Sequence, residues 1–75
     1  MAIEYFITAM ADDSEYDCFT IMQTSEERAR ERAAQWQQDI DTGAWQQWTS
    51  QKKRTAVGEA LTRGSKIRVH VGVTV

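Results

Sequence analysis

The sequence contains no proline, one cysteine, one histidine, one leucine and no apolar run approaching the length of a membrane span. Each scarcity narrows the possibilities. Without proline, both long helices and central strands remain open to the chain. Cys18 alone cannot form an intrachain disulfide, and a closed zinc site would need several histidines or carboxylates in place of thiolates. A small chain without bridges suits a reducing compartment, so a cytoplasmic location is expected. Nothing is long and apolar enough to span a bilayer, so no membrane partner is expected. No basic segment followed by an apolar one opens the chain, so no secretory signal is expected.

Large aliphatic residues are scarce too. Ile, Val, Leu and Phe together number 13 of 75, whereas alanine alone contributes nine. Such a fraction would point to disorder if the net charge were high. The net charge is only −2, and seven aromatic residues bring large buried area. An ordered but modest core follows, which self-association would help. A chain of 75 residues forms one domain, residues 1–75, and buries about 60% of the surface its unfolded form exposes. Large metabolic enzyme folds are therefore excluded.

Charge is unevenly spread. Residues 1–31 hold eight acids against Arg28 and Arg30, a balance of −6. Residues 52–75 hold six bases against Glu59, a balance of +5. Either the two ends fold together and neutralise, or the molecule presents faces of opposite sign and the basic one steers an acidic partner.

Residues Ile3 to Met10 alternate, with Ile3, Tyr5, Ile7 and Ala9 on one side and Glu4, Phe6, Thr8 and Met10 on the other. That is strand period. The polar stretch 11–15 is a turn of hairpin length, and Tyr16 to Gln23 reads as the returning strand. It offers either Phe19 and Ile21 or Tyr16, Cys18 and Met22 to a given face. Thr24 and Glu27 have capping-box spacing, which predicts a helix starting at Thr24. Ala29, Ala33, Trp36 and Ile40 form its apolar stripe, Glu26 and Arg30 an outer i,i+4 pair, and Gly43 its end.

Residues 44–63 are less definite. Trp45 with Trp48, Ala56 with Ala60 and Val57 with Leu61 have helical spacing, and Gly64 suits a C-terminal cap. One long or two short helices fit. The polar run 49–55 and Gly58 weaken the pattern, and an extra hairpin through Trp45 to Val57 is the alternative. Lys66 to Val75 is a strand with Ile67, Val69, Val71, Val73 and Val75 on one side and Lys66, Arg68, His70, Gly72 and Thr74 on the other. The expected fold is α+β: a small three-stranded antiparallel sheet, β-β-α-(α)-β, with one or two helices packed on one face. Trp36 and the alanine stripe would pack on Ile3, Ile7, Val69 and Val71.

The sequence offers little to chemistry. Catalysis needs a base, a nucleophile and an orienting group, and Cys18 with His70 is the single thiol–imidazole pair. Asp13, Glu15 and Asp17 have the spacing of the first ligands of an EF-hand. The glycine and glutamate such a loop requires further on are replaced by Cys18 and Thr24. No phosphate-binding glycine loop occurs. No catalytic residue, metal ligand or cofactor site is expected, and the chain reads as a non-enzyme.

Binding remains. The sheet face away from the helices would carry Phe6 and Met10 beside Lys66, Arg68 and His70, and exposed apolar surface of that kind marks an interface. Trp45 and Trp48 are either core or anchor residues for a partner, and Lys52, Lys53 and Arg54 could make one or two contacts to phosphate. In size and composition the chain resembles small α+β proteins of phages and other mobile elements, anti-CRISPR proteins among them. That resemblance implies an inhibitor or adaptor that occupies a surface of a larger protein complex. A non-catalytic protein-binding module using Trp45, Trp48, Lys52, Lys53, Arg54, Phe6, Lys66, Arg68 and His70 is the expectation. One alternative is a nucleic-acid-binding accessory protein using the basic C-terminal third, with an overall pI near 5.2 against it. The other is a structural subunit of a homo-oligomer, a homodimer in the simplest case.

Overall fold

Strand periodicity at both ends of the chain and a helical stripe between them assemble as an α+β unit. The structure, a computed structural model, describes residues 3–13 and 17–74. Strand β1 is Glu4–Ala11, β2 is Asp17–Gln23, helix α1 is Glu26–Thr42, helix α2 is Gln51–Thr62 and β3 is Ile67–Thr74. A short 3-10 turn, Ala44–Gln47, joins the helices. The sheet is antiparallel in the order β2-β1-β3, with both helices on one face.

Register decides which side chains are covered. Ile7 stands between Ile21 and Val71, and Ala9 between Phe19 and Val69. These pairs form the covered face, where Ile7 and Ala9 are fully buried. On the other face Phe6 lies between Met22 and Gly72, and Thr8 between Thr20 and His70. The sequence left open which set of β2 residues faces the helices, and the answer is both in part. The register slips by one residue between Ala9 and Met10, so Cys18 is an extra residue in β2. Cys18 and Phe19 therefore both pack towards the helices, while Met22 stays on the open face. Ser14 and Glu15 of the expected hairpin turn, Tyr16 and Val75 lie outside the described residues.

Helix α1 buries Ala29, Ala33, Trp36 and Ile40, the stripe its sequence spacing requires. Its start differs from expectation. Ser25, not Thr24, is the N-cap, and its Oγ accepts the Arg28 amide at 3.4 Å. The reciprocal carboxylate of a capping box is then absent, because Arg28 occupies the third helical position. Gly43, at φ +88°, takes the left-handed conformation that ends the helix. Ile3 also departs from expectation: it shares the covered parity but lies beyond the helix, 54% exposed.

Residues 44–63 form the 3-10 turn and α2, not a hairpin. Ser50 caps α2 by accepting the Lys53 amide at 3.3 Å. Gly58 weakens the helical pattern for a packing reason: a Cβ there would lie 3.4 Å from the Trp45 ring, so its absence lets the indole lie on α2. Val57 and Ala60 close the core against Ala9, Ala11, Ile40 and Ile67.

Two polar clamps tie distant segments. The Gln37 amide donates to the Ile67 carbonyl at 3.1 Å and accepts from the Val69 N–H at 2.9 Å. At the hairpin, Asp13 accepts from the Arg63 guanidinium at 3.0 Å and Asp12 accepts the Lys66 amide at 3.0 Å. The acidic and basic ends of the chain thus meet locally at this corner. No helix among the described residues is long and apolar enough to cross a membrane.

Candidate functional site

The sequence-derived candidates fall into two groups on opposite sides of the sheet. Phe6, Arg68 and His70 belong to the open face, with Lys66 just before β3. Trp45, Trp48, Lys52, Lys53 and Arg54 belong to the helical layer. They do not form one site.

The helical layer builds a cationic crown on an aromatic floor. Trp36 is buried, and Phe19 meets it edge-on at 5.2 Å between ring centroids. Trp48 completes the cluster, 5.9 Å from Phe19 and 6.1 Å from Trp36. The Trp48 indole N–H donates to Asp39 at 2.9 Å, and the other Asp39 oxygen accepts from Gln35 at 2.9 Å. Trp48 is thereby fixed as half-buried packing, and Trp45 lies against Gly58.

Over this floor sit two cations from different helices. The Lys53 Nζ lies 4.9 Å from the Trp36 ring centre and 5.6 Å from that of Phe19. The Arg32 guanidinium lies 5.5 Å from the same Trp36 ring. Both gain from the negative face of the ring. They also repel: burial, and then the charge of Arg32, hold the Lys53 ammonium below the usual lysine range. The two ion pairs among the described residues are Glu26–Arg30 and Asp13–Arg63, so neither cation is neutralised by an acid. Asp39, which holds Trp48 in the cluster, accepts one bond at each oxygen, from Trp48 and from Gln35.

The crown extends in both directions. A shallow groove beside Arg32 is lined by Gln23, Arg28, Glu31 and Gln35. On the other side Lys52, Lys53 and Arg54 fill the first turn of α2, which carries no acid. Three bases at the positive end of a helix dipole oppose the usual preference for acids there. Lys52 is exposed, and Arg54 is half-buried with its Nε unpartnered. Arg32 and Trp36 were missed as binding candidates by sequence reasoning. Their i,i+4 spacing on α1 was legible, but the arrival of Lys53 above the same ring is a tertiary event.

The open face is the second surface. Phe6 is half-buried, Met22 is 56% exposed and Gly72 leaves space beside Phe6. The Thr8 and Thr20 hydroxyls meet at 3.3 Å across the sheet. Arg68 and His70 project at its β3 side. Cys18 packs on the helical side, so the sheet separates it from His70 and the two cannot act as a thiol–imidazole pair. Among the described residues no three His, Cys, Asp or Glu side chains converge as metal ligands would. Comparison with protein-family models, with curated proteins and with solved structures finds no match to this chain.

Proposed function

We propose that this chain is a non-catalytic protein-binding module that docks on an acidic patch of a larger protein through its cationic crown. The observation that carries the reading is Arg32 and Lys53 over the one Trp36 ring, two cations with no ion-pair partner among the described residues. Holding them there carries a cost for the chain alone, because like charges repel and Lys53 is partly desolvated. A carboxylate supplied by a partner would offset both by its opposite charge. Arg28 and Lys52 would widen the contact and steer the approach. The inhibitor or adaptor role implied by size and composition belongs to this reading, since occupying a surface requires no chemistry of its own.

The second reading is nucleic-acid binding through the open face. Phe6 beside Arg68 and His70 supports it, since a base can stack on a sheet aromatic while cations meet phosphate. The net charge of −2 weighs against it.

The test is affinity capture from lysate of the source organism or its host, with and without nuclease. The wild type is compared with the double variant Arg32→Glu, Lys53→Glu, whose folding is checked by circular dichroism. A protein retained after nuclease by the wild type and lost by the folded double variant is the expected result. Retention by the double variant overturns the docking site. Loss of every partner on nuclease treatment, with capture weakened by Phe6→Ala, selects the nucleic-acid reading.

A further inference from the structure

The two edges of the sheet are not equally protected. In an antiparallel ladder, alternate residues turn both N–H and C=O towards the same neighbour. The Val69 N–H and the Ile67 C=O bond to Gln37 of α1, so the odd-numbered residues of β3 face away from β1. Val71 and Val73 therefore point their N–H and C=O groups outwards. Among the described residues no side chain or loop bonds to these groups. Gln37 acts as a strand surrogate for the first half of the edge and leaves the second half open. That half has no proline and no bulge, the devices by which edges are usually blocked. Val73, in its middle, is 54% exposed.

We propose that a second copy of this chain occupies this edge, joining β3 to β3 antiparallel about Gly72 and making one six-stranded sheet. In that register Val71 faces Val73 of the second copy and the reverse, which gives four backbone hydrogen bonds from the four outward N–H groups. The Gln37 clamps lie outside the new ladder and stay in place. Gly72 meets its own counterpart on the open face, where no Cβ crowds the axis.

Charge favours a second copy over an unrelated strand. Glu26, Arg30 and Gln37 recur at about one helical turn or two, so they share the flank of α1 that Gln37 turns towards β3. Gly72 lies about 13 Å along β3 from the level of Gln37, at about 3.3 Å per residue. A helix covers that rise in about nine residues, which leads from Gln37 back to the level of Arg28. The two-fold axis then passes midway between Glu26 and Arg30. These two already pair at 2.8 Å within one copy and are exposed. Across the axis Glu26 faces Arg30 of the other copy twice over, a self-complementary square of charges. This inference does not depend on the docking reading, whose residues are Arg28 and Arg32 on another flank of α1 and Lys52 and Lys53 on α2.

Sedimentation equilibrium of the purified chain over a wide concentration range is the test. The expected result is a mass rising from 8.6 kDa towards twice that value with concentration. Val73→Pro removes one outward N–H without touching the ladder to β1, and is expected to stay monomeric with unchanged circular dichroism. Should that variant misfold, Val73→Lys puts a charge on an exposed side chain and serves the same purpose. Arg30→Glu should weaken association at least several-fold, and Glu26→Arg combined with Arg30→Glu should restore it. A wild type that stays at 8.6 kDa at its solubility limit overturns the proposal. So does a folded Val73→Pro variant that associates as the wild type does, or an Arg30→Glu variant of unchanged affinity.

Discussion

Asp13 shows how one side chain links the two charged halves of the chain. Its bond to Arg63 holds the carboxyl at about 2, well below the ordinary 3.8. A carboxyl depressed in the folded state stabilises above its unfolded pKa, and that contribution is lost as the pH falls through the folded one. The pair is exposed, so the effect is small. The denaturation midpoint of Asp13→Asn is expected to lie slightly below that of the wild type near neutral pH. The two should converge as the pH approaches about 2. A gap that persists at that pH would assign the difference to something other than the Asp13 charge. At the same corner the two charged halves of the sequence meet: Asp13 pairs with Arg63, and Asp12 accepts the backbone amide of Lys66.

At the scale of elements, α2 is the piece whose sequence argues least for itself. Its first turn is basic, and Gly58 interrupts its middle. Glycine inside a helix costs about 1 kcal/mol relative to alanine. The space at Gly58 is limited by the Trp45 ring alone, at a distance of ordinary contact, and its backbone conformation is one any residue adopts. Gly58→Ala is therefore expected to stabilise the protein by about 0.5–1 kcal/mol, read as a higher midpoint in urea. Destabilisation would mean that the indole cannot yield and that Trp45 depends on bare backbone beneath it. Alanine at Gly43 or Gly64 is a different case, because both sit at positive φ. For β3, the division of its outer edge between the Gln37 clamp and the open Val71–Val73 stretch is what singles out one half for association.

At the scale of the whole molecule, the described residues form two small buried clusters, one around Ile7, Ala29, Ala33 and Trp36, the other around Ala9, Ala11, Ile40, Val57, Ala60 and Ile67. Phe19, Trp48 and Val69 pack against both and join them. A domain of this length has a total stability of about 4–11 kcal/mol. Phe19→Ala would remove one of the three joining side chains and part of the floor beneath Lys53, at about 3 kcal/mol. The expected outcome is a large fall in the urea midpoint with a single cooperative transition. A change below about 1 kcal/mol would show that Trp48 and Val69 join the clusters without Phe19. A core so rich in alanine leaves much of the surface area to polar and aromatic edges, and the cationic crown is built on one of those edges.

The sequence alone determined the elements that rest on local periodicity: the alternation in β1 and β3, the Ala29–Ala33–Trp36–Ile40 stripe and the Gly43 end of α1. These follow from neighbours two, three or four residues apart, and no distant contact is needed to see them. The extra residue in β2 was not legible, because a bulge is set by how two strands share a covered face. The N-cap is Ser25 rather than Thr24, since adjacent hydroxyls both satisfy the local rule and spacing alone does not choose between them. Ile3 has the right parity to be core and fails because α1 begins too late to cover it. The candidate site was half legible: the bases of α2 and the aromatics were visible as residues. That Lys53 and Arg32 converge on Trp36, while Arg68 and His70 stand behind the sheet, was decided only by the packing of two helices on one face. Contacts between residues far apart in the chain depend on that packing, and no local spacing encodes it.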